Sequence, residues 1–219
     1  MKNNMRITRF EDKTEWEQFR LGKITGSRLK DLIVKRGTEM KKGYYDLIAE
    51  RLTQPHESDD IPAMQRGNVL EPQAVTLFME EMLYTEGTPL EEWEAGLVIW
   101  QREDNLSIAL SPDCYHVDFE KAVEVKCLNS GEHIKAYLTK EIPDVYEEQV
   151  VQYFIVNDKL ETLYFAMFDP RFILDKHKFF FLTIKRKDIE AKITDYYTQQ
   201  LNMLARVEAI VISETDGLF

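Results

Sequence analysis

From Val123 to Cys127 the chain reads Val-Glu-Val-Lys-Cys, with apolar and charged residues in alternation. Strand side chains alternate between two faces, so Val123, Val125 and Cys127 share one face and Glu124 and Lys126 the other. Upstream, Leu106-Ser-Ile-Ala-Leu110 also reads as a strand, ending at Pro112-Asp113. A short hairpin between the two would bring Asp113 beside Glu124. Two carboxylates and an ammonium would then converge at a strand pair. Hard oxygen ligands of this kind suit Mg²⁺ or Mn²⁺, and a lysine beside them can act on an attacking water or on developing phosphate charge. Locally, the same residues also fit a solvated hairpin whose Val-Glu-Val-Lys strand carries a cross-strand ion pair.

The rest of the chain supplies a scaffold. Residues 13–21 read as a short helix with Trp16 and Phe19 at helical spacing, broken at Gly22. Ser27 reads as the N-cap of a helix through Val34. Residues 35–43 read as a basic, glycine-containing loop, Tyr44–Leu52 as a helix, and 54–62 as a polar loop bounded by prolines. A long helical stretch covers 63–84. Within it Pro72 disfavours helical geometry at Glu71, which predicts a kink or a junction between two helices there. Glu71 then points into a cleft or along an exposed helix face.

The period then changes. Residues 95–101, 105–111, 114–119 and 121–127 are strand-like. Helices are expected at 130–139 and 144–156, strands at 161–168 and 178–185, and a last helix from Asp188 to Ala209. With no repeat and no linker, the pattern predicts one mixed α/β domain over residues 1–219.

Of the 219 residues 44% are hydrophobic, enough for a core and too many for a disordered chain. No apolar run approaches a membrane span, and the start has no secretory h-region, so a cytoplasmic protein is expected. Two cysteines, Cys114 and Cys127, cannot build a disulfide scaffold or a four-cysteine cluster. The net charge of -11 argues against a simple basic nucleic-acid coat. A metal site is itself acidic, however, and a local basic cleft can coexist with an acidic exterior. Positive charge is dense at Lys35-Arg36, Lys41-Lys42 and Lys185-Arg-Lys187, each of which also fits a solvated surface.

Several runs, in order along the chain, carry a resemblance. They are Arg20-Leu-Gly-Lys-Ile-Thr-Gly-Ser27, Gly67-Asn-Val-Leu-Glu71, Ser111-Pro-Asp113, Glu124-Val-Lys126-Cys127, Gln149, and Tyr164-Phe-Ala-Met-Phe-Asp-Pro-Arg171. Together they resemble the lambda-exonuclease-like phage alkaline exonucleases, the YqaJ-type viral recombinase branch of the PD-(D/E)XK nuclease superfamily. The resemblance implies a restriction-endonuclease-like central mixed β-sheet flanked by helices. It implies an enzyme that digests linear double-stranded DNA from 5′ to 3′ with Mg²⁺ or Mn²⁺, two ions per site. The products would be 5′-mononucleotides and 3′ single-stranded overhangs for recombination by strand annealing. A ring-shaped homotrimer and a single-strand annealing protein as partner are implied as well.

The same resemblance implies residue roles. Asp113 and Glu124 would hold metal, with the Val125 carbonyl as a backbone ligand and Glu71 completing the set. Lys126 would position or activate the attacking water, and Gln149 would contact substrate or hold water and lysine in place. Arg20, Ser27 and Ser111 match residues that bind the terminal 5′-phosphate. Met40 would be a wedge in the duplex, supported by Lys41 and Lys42 on phosphates.

Departures leave alternatives open. Cys114 stands where the family commonly has glycine after Ser-Pro-Asp, and it reads as structural. After Gln149 the spacing is one residue longer, so Gln152 rivals it. Tyr153, four residues on, fits either core packing or a wider nuclease pattern of Gln followed by Tyr. The competing functions are another PD-(D/E)XK endonuclease or repair nuclease, and a non-catalytic DNA-end-binding accessory protein.

Overall fold

The structure, a computed structural model, describes residues 5–33, 41, 43, 44, 47 and 62–215. Among these residues eight strands form two sheets. The smaller sheet joins β1 (Met5–Arg9) to strands Val98–Arg102 and Ala109–Leu110, all antiparallel. The larger begins at β2 (Trp93–Ala95). With Val98–Arg102 as β3 and Ala109–Leu110 as β4, it continues through β5 (Cys114–His116), β6 (Lys121–Lys126), β7 (Thr162–Phe168) and β8 (Phe179–Lys185), in the order β2-β5-β6-β7-β8. Only β6 and β7 run parallel, so the chain between them must cross over the sheet. The crossover holds two of the helices: α1 (Lys13–Arg20), α2 (Gly26–Leu29) and α3 (Pro62–Glu86) precede it, α4 (Ser130–Thr139) and α5 (Glu147–Val156) form it, and α6 (Asp175–Lys178) and α7 (Glu190–Thr215) follow. The expected mixed α/β architecture is thus the one observed.

The period-two reading of β6 explains how it is covered. Val123 and Val125 pack with Ala74, Val75, Phe78 and Met82 of α3 and with Tyr164 and Ala166 of β7. Ala122 faces the other way, into a core that includes Tyr153 and Phe154 of α5. Strand β7 lies between two paired strands and is buried at every position, so its sequence is a continuous apolar run with no alternation. Arg186, from a basic run expected at the surface, instead closes the end of α5. It donates to the carbonyls of Phe154, Asn157 and Leu160, satisfying acceptors a helix end leaves open.

Some boundaries differ from the expectation. Helix α3 runs unbroken from Pro62 to Glu86 with Pro72 inside it, so no junction of two helices occurs at Glu71. An internal proline costs about 3 kcal/mol. Burying Val75, Phe78 and Met82 against the sheet offsets this, at about 1.5–3 kcal/mol for each large side chain. Ser27 is not an N-cap. Ile24 bridges Ile108 in extended geometry, which holds the chain extended through Thr25, the actual cap residue, and α2 ends at Leu29. The strand expected over 106–110 shrinks to Ala109–Leu110 because Asn105 turns the chain, accepting from the N–H groups of Ile108 and Ser107. Strands β1 and β2 have no counterpart in the sequence reading. Of the helix expected over Tyr44–Leu52, Tyr44 and Leu47 are described, and both are helical and buried. The polar loop before Pro62 lies outside the described residues.

Candidate active site

Strands β5 and β6 pair with Cys114 opposite Val123. One step further, Asp113 stands beside Glu124, and its Oδ2 accepts from the Val125 N–H at 2.7 Å. The two carboxylates come together as expected, but through the hairpin of β5 and β6: the 106–110 segment expected to pair with β6 pairs with β3 in the other sheet.

Glu124 is 1% exposed, and such burial is tolerable only when a carboxylate is fully engaged. Lys126 and Gln149 both donate to its Oε1. The Tyr153 hydroxyl donates to Oε2 at 2.6 Å. Gln149 and Tyr153 lie four residues apart on one face of α5. Burial, with the Glu124 charge adding, pushes the Tyr153 phenol well above its usual range, so it remains a donor. Gln152 points elsewhere. It is fully buried and donates to the backbone carbonyls of Ile24 and Ala109, while Gln200 donates to it. Gln149, not Gln152, thus stands at the carboxylate.

Burial raises the Asp113 carboxyl well above the ordinary carboxylate range, and the charges of Glu124 and Glu71 add to the effect. Burial and the Glu124 charge raise Glu71 likewise. Burial lowers the affinity of Lys126 for its proton, but the Glu124 and Asp113 charges outweigh it and keep the amine charged at neutral pH. Three carboxylates thus face the Lys126 ammonium, with the Arg20 guanidinium the next cation in the cleft, an excess of negative charge that a divalent cation relieves. The donors are hard oxygens, the kind Mg²⁺ and Mn²⁺ take. Among the described residues no three acidic, His or Cys side chains already stand spaced to hold an ion.

Glu71, Asp113, Glu124, Val125, Lys126 and Gln149 line one cleft of about 660 Å³, and Arg20, Ser27 and Ser111 line it too. Arg20 donates from Nη2 to the Ser27 hydroxyl at 3.2 Å. The Ser111 hydroxyl is buried without a hydrogen-bond partner among the described residues. A guanidinium, a hydroxyl and an orphaned hydroxyl facing one space can receive an anion. Lys41 is exposed and donates to the carbonyl of Lys30, which borders the cleft. Met40 and Lys42 lie outside the described residues.

Trp16 and Tyr146 line the cleft and were not singled out as site residues from sequence. The Arg20 guanidinium sits 4.3 Å from the centre of the Trp16 ring, and the Trp16 N–H is buried with no partner among the described residues. Their spacing of four on α1 was a readable signal. Lys126 Nζ lies 5.3 Å from the centre of the Tyr146 ring, a contact between distant segments that no local pattern announces. Cys114 is fully buried, and burial pushes its thiol up to about 12, so it packs as an apolar residue. Among the described residues no helix is long and apolar enough to cross a membrane.

The YqaJ-like viral recombinase domain matches residues 15–160 of the chain. The alkaline exonuclease LHK-Exo of Laribacter hongkongensis is similar in structure, with a TM-score of 0.75 and 28% identity over 92% of this chain and 95% of that one. Its complex with dAMP gives a TM-score of 0.74 and 27% identity, with the same coverage. A phage-related exonuclease from Haemophilus somnus 129PT shares the fold at 15% identity, with a TM-score of 0.58 over 89% of this chain and 96% of that one. No curated protein matches the chain.

Proposed function

The chain belongs to the YqaJ-like viral recombinase family, and from that membership we propose that it is a metal-dependent exonuclease. It digests one strand of linear double-stranded DNA from the 5′ end, releases 5′-mononucleotides and leaves 3′ overhangs for strand annealing. The observation that carries this reading is a single cleft holding both a carboxylate–lysine cluster and a separate anion-receptive group. The similarity to an exonuclease recorded with a deoxynucleoside monophosphate supports it.

The chemistry follows from the residues. Asp113, Glu124, the Val125 carbonyl and Glu71 would hold Mg²⁺ or Mn²⁺, two ions in the full site. Bound there, the metal neutralises phosphodiester charge and acidifies water. Lys126 supplies a further positive charge, orients the attacking water and is itself held by Glu124. Gln149, a donor to the same oxygen, keeps carboxylate and lysine in register. Arg20 forks its donors onto the terminal 5′-phosphate, with the Ser27 and Ser111 hydroxyls completing the cradle. Holding the end there sets the next linkage over the carboxylates. Each cleavage leaves a new 5′-phosphate that enters the same cradle, so digestion is directional without sequence readout. Met40 as a duplex wedge, with Lys41 and Lys42 on phosphates, belongs to this reading. So do a homotrimeric ring around the DNA and a single-strand annealing partner.

The test is a substrate panel with Mg²⁺: 5′-phosphorylated linear duplex, its 5′-hydroxyl twin, single strand and closed circle, each also with Glu124→Gln. Mononucleotides from the phosphorylated duplex, absent with the variant, are expected. Nicking of the circle, or digestion from 3′ ends alone, would overturn the 5′-phosphate assignment. Absence of hydrolysis in every tube would leave a DNA-end binder as the better reading.

A further inference from the structure

Gly26 precedes Ser27 and lines the same cleft. It sits in α2 in ordinary helical geometry, so conformational freedom does not explain a glycine there. Space does. A Cβ at this position would fall 2.6 Å from Cδ1 of Leu110, 3.3 Å from Cγ of Gln149 and 3.8 Å from the Gln149 carbonyl oxygen. Carbon atoms pack at about 3.5–4.0 Å, so a methyl group would force a shift of about 1 Å. Both neighbours are attached to the site. Leu110 is followed by Ser111, and Gln149 donates to Glu124.

We propose that Gly26 is a positioning residue: its missing side chain lets the turn carrying Ser27 rest directly on Leu110 and Gln149, which fixes the distance between the end-binding group and the carboxylates. The inference rests on the exonuclease reading above and adds what holds its two halves in register. A bound 5′-phosphate at Ser27 and Ser111 and the linkage over Glu124 then lie at a separation set by contact of the Gly26 backbone with the side chains of Leu110 and Gln149. A methyl at Gly26 would meet the end of the Leu110 side chain and Cγ of Gln149, pressing the turn that carries Ser27 away from both. Misplacement of a reacting group by about 1 Å costs about 100-fold in rate.

The experiment compares the parent chain, Gly26→Ala, Leu110→Val and the double variant. Two quantities are read: affinity for 5′-phosphorylated over 5′-hydroxyl duplex ends in EDTA, by anisotropy, and the initial rate on each in Mg²⁺. Gly26→Ala should lose the phosphate preference and fall about 100-fold in rate on phosphorylated ends. Adding Leu110→Val removes the closest clash and should restore much of both, and urea midpoints of all four chains, expected to differ too little to change the folded fraction in the assay, separate this rescue from one of stability. Parent-like preference and rate in Gly26→Ala would overturn the proposal, as would a double variant no better than the single one. If Gly26→Ala does not fold, the double variant measured against Leu110→Val decides, with retained preference supporting the role and lost preference overturning it. A parent chain without phosphate preference would overturn the underlying reading and this one with it, and it shows before any substitution is made.

Discussion

Tyr153 donates its phenolic proton to Oε2 of Glu124 across 2.6 Å, from the middle of α5 to the middle of β6. The same hydroxyl lies 3.2 Å from the Val123 carbonyl, so the carboxylate is tied to its own strand through a side chain of the crossover helix. Glu124 thus has one oxygen held by Tyr153 and the other by Lys126 and Gln149.

Tyr153→Phe removes that tie and leaves the packing intact. Partners behind a metal ligand typically change metal affinity by about 10–100-fold. The variant should need about that much more Mg²⁺ for half-maximal activity and approach parental activity at saturating Mg²⁺. A Mg²⁺ titration of the initial rate checks it. An unchanged midpoint would mean that Tyr153 only fills the core.

Gln149 and Gln152 should separate cleanly. Gln149→Ala loses a donor to Glu124 at the edge of the cleft and should cut activity with little change in stability. Gln152→Ala leaves the buried Ala109 carbonyl without its side-chain donor and the buried Gln200 amide without its acceptor, while the Ile24 carbonyl keeps the Ala109 N–H. Each unsatisfied group costs about 1–3 kcal/mol, so for these two a stability loss of about 2–6 kcal/mol is expected. Urea unfolding beside rate measurement gives both numbers. Equal stability losses would contradict the assignment.

The contrast between these glutamines shows what a sequence can carry. The alternation at Val123–Cys127 sets which face each residue takes, so the carboxylate pair was legible, although the strand that pairs with β6 is β5 and the 106–110 segment joins the other sheet. The long apolar run of β7 was legible as a strand for the same local reason. Which glutamine reaches Glu124 depends on the rotation of α5 above the sheet. That rotation is set by Tyr153, Phe154 and their neighbours in the core, contacts that span dozens of residues. Ser27 as an N-cap was a sound local inference overridden by the Ile24–Ile108 bridge. Pro72 as a helix break was overridden by burial of Phe78, whose ring meets Trp93 and Tyr164 at 5.1 Å. In both cases tertiary contacts outweighed a local preference of a few kcal/mol at most.

A divalent ion should stabilise the folded chain because Asp113, Glu124 and Glu71 repel one another. An ion at about 100 times its dissociation constant adds about 2.7 kcal/mol. For a chain of this size that is about 5–10 °C in melting temperature. Melting in EDTA and in Mg²⁺ measures it without substrate, and EDTA should also stop hydrolysis. Asp113→Asn should melt higher than the parent in EDTA, since it removes a repelling charge, and should respond less to Mg²⁺. A parental Mg²⁺ shift in Asp113→Asn would place the ion elsewhere.

Acid should weaken a different carboxylate. Asp169, at the end of β7, is 1% exposed. It accepts from the Ser130 hydroxyl at 2.7 Å and from Arg171 Nε at 2.7 Å and Nη2 at 2.8 Å. Burial alone would raise its pKa, but these donors hold it down to about 2. An unfolded aspartate titrates near about 3.9, so the folded state binds its proton less readily than the unfolded state does. The resulting stabilisation is present in full above the unfolded value and is lost as pH falls from about 4 towards about 2. With Arg171 half-exposed, the contribution is about 1–2 kcal/mol once solvent screening is allowed for. Asp169→Asn should therefore be less stable than the parent by about that amount at pH 7, with the gap closing as the pH drops through about 4. Urea midpoints at neutral and acid pH measure the gap. A gap that stays constant would mean that the asparagine destabilises by shape, with no part played by the charge on Asp169.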